Sequence, residues 1–175
     1  MNIYKVIKGR RSIRTYKSRK IPDDVINRVL DAARRAPSAK NLQPWQFIVV
    51  NDRELIDAVA GGPTRNQSFI AQAPIVLVAC ALEREAFEYM GGYWNSAVLD
   101  VAIAFDHLTL AAHAEGLGTC WIGAFDEAAV KNLFAIPEYV KVVALTPLGY
   151  RAEDPPEHGR KSLEHILFYN RWSSQ

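Results

Sequence analysis

The longest apolar stretch of the chain is the feature that most limits how it can fold. From Asn95 to Glu115 the residues follow a helical pattern that is apolar on most sides, and Gly116 and Gly118 follow directly. Glycine supplies the backbone freedom that a helix exit requires, and a helix that is apolar on most sides has to be buried. We therefore expect that either the rest of the domain wraps this helix or a second subunit covers part of it.

This apolar stretch is predicted to be a core helix, not a membrane span. Between Ala97 and Ala114 it carries four titratable side chains, which are Asp100, Asp106, His107 and His113. Each of them would be costly at the centre of a bilayer. The first residues offer no apolar stretch of signal-peptide length either, because Lys8 and Arg10 follow Val6 and Ile7 at once.

The rest of the 175-residue chain shows no repeat and no composition shift, so we expect a single domain over residues 1–175. Apolar periodicity and turn residues predict helices at 2–9 and 23–35 and one that begins at Asp126, and strands at 47–50, 75–81, 119–122 and 140–146. Helices and strands alternate irregularly, which indicates an α+β fold or a three-layer sandwich.

The two cysteines, Cys80 and Cys120, lie 40 residues apart inside apolar runs, with no CxxC motif. This spacing favours buried free thiols in a reducing compartment and predicts a cytoplasmic protein without a metal site.

Charge is distributed unevenly along the chain. The first 20 residues hold eight of the 21 Lys and Arg and no acidic residue, whereas the remainder carries 13 basic against 19 acidic side chains. This asymmetry excludes a uniformly basic nucleic-acid coat and points to one defined anion. The motif Arg10-Arg11-Ser12-x-Arg14 fits a phosphate or an anionic ring edge, because guanidinium groups bind such anions at fixed geometry; a solvated basic turn is the alternative.

Three further motifs have a polar or glycine-rich character. The first is the loop APSAKNLQPW at residues 36–45, which two prolines hold rigid. The second is GLGTCWIGAFD at 116–126, where an apolar strand meets a glycine and a helix N-cap and exposes backbone N–H groups; its spacing is not that of a dinucleotide fingerprint. The third is the basic cluster HGRK at 158–161. The first motif also fits a purely structural loop, and the third also fits a surface charge run.

Together, and in this order over essentially the whole chain, these motifs resemble the FMN-dependent nitroreductase family in its compact form. The RRSxR start, the APSAxNxQPWxFIVV block, the GLGTCWIGAF turn and the closing GRKSLEHI…YNRW segment carry the resemblance. It implies an α+β fold, a three-layer α/β/α sandwich around a mixed, mainly antiparallel sheet. It also implies a homodimer that binds one FMN in each of two pockets at the subunit interface.

The resemblance also implies roles for individual residues. Arg10 and Ser12 would contact the FMN phosphate and ribityl chain with help from Arg11, and Arg14 would approach the pyrimidine end of the flavin. His158 and Arg160 would complete the phosphate site; the family usually has Lys or Arg where His158 stands, so its contribution would depend on pH. A loop from the other subunit would contribute Pro37, Ser38, Ala39 and Asn41. The ring edge would contact Gln67. One face of the ring would lie along the backbone of Trp121, Ile122, Gly123 and Ala124.

The implied function is a ping-pong reaction in which NAD(P)H reduces the flavin and a nitroaromatic, quinone or similar electron-poor acceptor then oxidises it. The protein would supply position and charge, with no catalytic side chain and no metal; Arg65 is a candidate for the N1 and O2 end of the ring. Two alternatives remain open. One is a flavin enzyme of another reaction type, such as dehalogenation, flavin breakdown or dehydrogenation; the other is a non-enzymatic protein that binds an anion or nucleic acid. The acidic remainder of the chain disfavours nucleic acid.

Overall fold

In the computed structural model, residues 2–172 are described and form four strands, five α-helices and several short 3₁₀ turns. The helices are α1 (Ile3–Gly9), α2 (Asp23–Arg34), α3 (Arg53–Val59), α4 (Ala97–Ala114) and α5 (Glu127–Phe134). The strands are β1 (Trp45–Val50), β2 (Ile75–Ala81), β3 (Leu117–Thr119) and β4 (Lys141–Tyr150).

The strands form one sheet in the order β1-β2-β4-β3, and every neighbouring pair is antiparallel. Parallel pairing within residues 2–172 is limited to a single bridge between Ser12 and Thr119. The predicted α+β fold around a mainly antiparallel sheet is therefore confirmed, and its mixed character is limited to that one bridge.

Strand β2 divides the core into two layers, because its successive side chains point to opposite faces of the sheet. Its odd-numbered residues pack with α2 and α4, and its even-numbered residues pack with α3 and α5. All seven residues of β2 are buried. The helices thus cover both faces of the sheet, as a three-layer sandwich requires.

Helix α4 lies against the sheet and α2 through its buried face, which includes Val101, Phe105 and Leu108. It is long and apolar enough to cross a membrane by length and composition, but core helices pass the same test. The packing on the sheet confirms the prediction of a core helix. Gly116, just after the end of the helix, has a φ of +77°. Val98 and Leu99, on its other side, remain 40% and 38% exposed.

Three sequence predictions need correction. β3 spans Leu117–Thr119, whereas the sequence predicted a strand at 119–122. It ends at Thr119 because the Cys120 N–H donates to the Thr146 hydroxyl (3.0 Å) and not to a neighbouring strand; Ile122 then forms an isolated bridge. β4 runs on through Pro147 to Tyr150, whereas the sequence predicted a strand at 140–146 that Pro147 ends. α3, capped by Asp52, was not predicted.

Candidate functional site

The basic N-terminal segment is fixed along the edge of the sheet. The Ile13 N–H donates to the Thr119 carbonyl (2.9 Å), and the Lys17 N–H donates to the Tyr150 carbonyl (2.8 Å). On the other side of the segment, the carboxylate of Glu153 accepts hydrogen bonds from the N–H groups of Arg14 and Thr15. The backbone of the RRSxR motif is therefore held rigidly beside β3 and the turn that follows it.

Gly118 permits this close approach. A Cβ atom at Gly118 would lie 2.8 Å from the Cβ of Ile13, closer than real Cβ atoms come. The segment and β3 can only reach their observed separation because residue 118 has no side chain.

Next to this contact lies a pocket of about 220 Å³. It brings together residues that the sequence placed far apart: Arg14, Gln67, and Trp121 to Ala124. Phe69 and Cys120 also line it, and neither was predicted. The Gly123 N–H is exposed and donates to no group within residues 2–172. One wall of the pocket is thus a stretch of backbone with a free N–H donor, and Arg14 supplies a positive charge to the same pocket.

No side chain of this pocket is poised for acid, base or nucleophilic chemistry near neutral pH. Burial raises the pKa of the Cys120 thiol, and the nearby Arg14 charge and a hydrogen bond with Ser12 offset this only in part. Burial likewise raises the pKa of Tyr16, whose hydroxyl donates to the Ile13 carbonyl. Residues 2–172 contain no cluster of His, Cys, Asp or Glu that could hold a metal ion.

The second basic cluster comes close to the first through a salt bridge. Arg11 Nη2 lies 3.3 Å from Glu157 Oε2, so residue 157 is anchored to the RRSxR motif directly before His158. The guanidinium group of Arg160 donates to the carbonyls of His158 (3.1 Å) and Gly159 (3.2 Å), and both predicted side chains are exposed. The two halves of the predicted phosphate site are therefore neighbours in the fold, although Arg11 is partly engaged by Glu157.

Arg10 and Arg11 also lie near His113, in the last turn of α4. Gly9 is so close to the imidazole that a Cβ there would be 2.8 Å from Nε2. Burial lowers the pKa of His113, and the charges of Arg151, Arg10 and Arg11 lower it further. Burial and the neighbouring arginine charges thus both favour the uncharged form of this imidazole.

The loop at 37–41 is held at the opposite end of α4. The Ala39 N–H donates to Asp100 Oδ1 (3.0 Å), and the Ser96 hydroxyl donates to Asp100 Oδ2 (2.7 Å). Asp100 precedes His113 by 13 positions, which corresponds to about 20 Å of helix. Within one chain, the predicted residues Pro37, Ser38, Ala39 and Asn41 therefore lie far from Arg10, and none of them lines the 220 Å³ pocket. Arg65 does not line it either.

The loop is also conformationally unusual. Lys40, Asn41 and Gln43 all have positive φ values, of 51°, 57° and 54°. Non-glycine residues adopt this region at a cost, and such residues concentrate at functional sites. The Ser38 hydroxyl stabilises the bend by accepting from the Gln43 N–H (2.9 Å).

The sequence and the fold both match known proteins. The sequence model of the nitroreductase family matches residues 7–62 and 58–150. A relative from Methanothermobacter thermautotrophicus, which carries the double name NADH dehydrogenase/NAD(P)H nitroreductase, is 37% identical over 159 residues, which cover 89% of this chain and 80% of that protein. The FMN reductase [NAD(P)H] of Bacillus subtilis is 30% identical over 191 residues, covering 99% and 75%.

Among solved structures, a nitroreductase family protein from Clostridium novyi has 39% sequence identity and a TM-score of 0.79, and the match covers 86% of this chain and 87% of that one. The family model covers most of the chain, and the sequence and structure comparisons agree with it. This chain belongs to the nitroreductase family.

Proposed function

We propose that this protein is an FMN-dependent NAD(P)H oxidoreductase that reduces nitroaromatics, quinones or similar electron-poor acceptors by a ping-pong mechanism. The observation that carries the proposal is the pocket beside Arg14, which combines a cation with an exposed backbone wall and lacks any acid, base or nucleophile active near neutral pH. The names of similar proteins, among them the FMN reductase [NAD(P)H] of B. subtilis, support the cofactor and the electron donor.

The residues present fit FMN in two respects. The pocket wall at 121–124 has no bulky side chain at Gly123 and Ala124, so a flat ring can approach the backbone. Gln67 lines the same pocket, and its side-chain amide has no hydrogen-bond partner among residues 2–172. An amide can both donate and accept hydrogen bonds, so it can pair with a ring edge that carries both kinds of group.

Each predicted residue has a role in this proposal. Arg10, Arg11, Ser12, His158 and Arg160 hold the phosphate and ribityl chain, and Gln67 binds the ring edge. Bound FMN supplies hydride and electron-pair transfer between donor and acceptor. Arg14 would stabilise negative charge on the pyrimidine part of the bound flavin, because a fixed cation in a partly desolvated site needs no reorganisation during the reaction. Donor and acceptor use the same open side of the pocket in turn, which gives ping-pong kinetics.

We propose further that two copies of this single domain form a homodimer with FMN at the interface. The loop at 37–41 and the Arg10 region are about 20 Å apart along α4 in one chain, so only a second copy brings both to one ligand. The exposed apolar side chains Val98 and Leu99 of α4 would be covered in that dimer. The buried thiols Cys80 and Cys120 suit the reducing cytoplasm.

The test is an anaerobic half-reaction. Purified protein reconstituted with FMN is mixed with NADH or NADPH in a stopped-flow instrument, and flavin absorbance is followed. We expect rapid bleaching by at least one donor, followed by reoxidation when a nitroaromatic or quinone is added in a second mix. Protein that binds no FMN, or bound flavin that neither donor bleaches, would overturn the proposal.

A further inference from the structure

A second pocket lies beside the first and has the character of an anion-binding site. Its volume is about 370 Å³, and it lies between the segment 18–21, the start of α2, the end of β1 and the turn before β2. Its floor includes the buried side chains of Ile21, Ala73 and Ile75. Neither the sequence motifs nor the proposed FMN site uses it.

The rim of this second pocket is predominantly cationic. Arg19, Lys20 and Arg53 line it together with a single carboxylate, that of Asp23. Arg53 is paired with Asp57 on its own helix, but neither Arg19 nor Lys20 has an ion-pair partner among residues 2–172. Arg19 is instead held by stacking, with its guanidinium carbon 4.1 Å from the centre of the Tyr150 ring. Two unpaired cations above an apolar floor favour an anion that also carries an apolar group.

Neutral hydrogen-bond donors complete the rim. The side-chain oxygen of Gln72 accepts from the Tyr16 N–H (3.4 Å), which leaves the amide NH₂ group without a partner inside residues 2–172. Asn51 and Ser18 also line the pocket and donate to no other group of the described chain. Phosphate oxygens accept hydrogen bonds from such donors as well as from cations.

The two pockets are close together because the same two segments wall both of them. Arg14 lines the first pocket and Ser18 the second, and four residues of chain span at most about 14 Å. Phe69 and Gln72 are related in the same way, and three residues span at most about 11 Å. A dinucleotide is long enough to have its nicotinamide at the first pocket and its adenylate half at the second.

We infer that the second pocket binds the phosphate-bearing adenylate half of the nicotinamide dinucleotide, with Arg19 and Lys20 as its main cations. This inference rests on the proposed function, because it assumes that NAD(P)H reduces flavin at the first pocket. Two unpaired cations match the extra phosphate of NADPH, so the site favours NADPH over NADH.

The test compares three electron donors on the FMN-loaded enzyme at constant ionic strength: NADPH, NADH and reduced nicotinamide mononucleotide, which lacks the adenylate half. In the variants Arg19→Gln and Lys20→Gln we expect KM for NADPH to rise about fivefold each, as loss of one unit charge near a phosphate implies. KM for the mononucleotide should stay within twofold. Lys141→Gln, which removes one exposed cation at the start of β4, is the matched control and should change neither value.

A binding measurement separates the adenylate from a bare anion. In calorimetric titrations, adenosine 2′,5′-bisphosphate should bind wild-type enzyme and lose affinity in both variants, whereas inorganic phosphate at equal ionic strength should bind at least tenfold more weakly. Unchanged KM for NADPH in both variants, an equal rise for the mononucleotide, or equal binding of inorganic phosphate would overturn the inference and leave the proposed function intact. Failure of all three donors to reduce wild-type flavin would instead refute the proposed function.

Discussion

At the scale of single residues, Gly118 sets how closely the basic segment approaches the sheet. A methyl group there would overlap the side chain of Ile13, which is 1% exposed and has no room to move. Overpacking of this kind typically costs about 1–3 kcal/mol. We therefore expect Gly118→Ala to lower the free energy of unfolding by about 2 kcal/mol, measured by urea denaturation, and to weaken FMN binding.

The matched control for this substitution is Gly159→Ala. Gly159 lies in the C-terminal segment, and a Cβ atom there would meet nothing within 4 Å. The Gly159→Ala variant should have the same midpoint of urea unfolding as the wild type. Equal midpoints for Gly118→Ala and wild type would show that the segment does not depend on this contact.

The family resemblance, which local motifs carry, predicts several residues of one site. Arg14, Gln67 and Trp121 were predicted to share a site, and the structure places them around one pocket. Glu153, by contrast, holds the Arg14 N–H from 139 positions away, and no local pattern indicates such a pairing. Long-range hydrogen bonds of this kind emerge only when the chain is folded.

At the scale of elements, Asp100 joins the loop at 37–41 to the first turn of α4. Its carboxylate is 2% exposed and accepts from the Ala39 N–H and the Ser96 hydroxyl. Removal of the acceptor leaves the buried Ser96 hydroxyl and the half-buried Ala39 N–H unpaired, and a buried donor without a partner costs about 1–3 kcal/mol. We expect Asp100→Ala to lower the free energy of unfolding by at least about 2 kcal/mol, measured by urea denaturation.

The control for Asp100→Ala is Asp57→Ala, on the exposed side of α3 and away from the proposed dimer interface. It removes the same charge and should leave stability within about 0.5 kcal/mol of wild type. Limited proteolysis adds a second measurement, because release of the strained bend should expose the bond after Lys40 to trypsin only in the Asp100 variant. Equal stability of the two variants would contradict the role of Asp100.

Helices and strands with strong apolar periodicity were predicted correctly, and those that are short or whose ends depend on tertiary contacts were not. α2 and β2 have clear apolar patterns, and both lie where they were predicted. The seven-residue helix α3 was too short to show a period. Pro147 suggested the end of β4, but β3 begins to pair with this strand only at Leu148, so Pro147 has a strand neighbour on just one side, a position that tolerates proline.

At the scale of the whole molecule, apolar surface remains uncovered on one side of α4 and in the C-terminal segment. Val98 and Leu99 are partly exposed on the helix, and Leu163, Tyr169 and Trp172 are 68%, 84% and 85% exposed. Exposed apolar residues are ordinary when scattered, but continuous apolar patches mark interaction sites. Of the two alternatives expected for the long helix, cover by its own domain is incomplete on the side of Val98 and Leu99, and the proposed dimer would supply the rest.

The proposed dimer predicts that two similarly exposed leucines respond differently to the same substitution. Leu99 lies on the uncovered side of α4 and Leu55 on α3, on the other face of the sheet, and they are 38% and 36% exposed. In a monomer, either Leu→Glu change would be nearly neutral, because surface substitutions usually alter stability by less than about 0.5 kcal/mol. In the proposed dimer, Leu99→Glu buries an unpaired carboxylate at the interface, which costs several kcal/mol. We expect wild type and Leu55→Glu to sediment as dimers of the 19.6 kDa chain and to retain FMN, and Leu99→Glu to sediment as a monomer that has lost it; a dimeric, flavin-loaded Leu99→Glu protein would remove α4 from the interface.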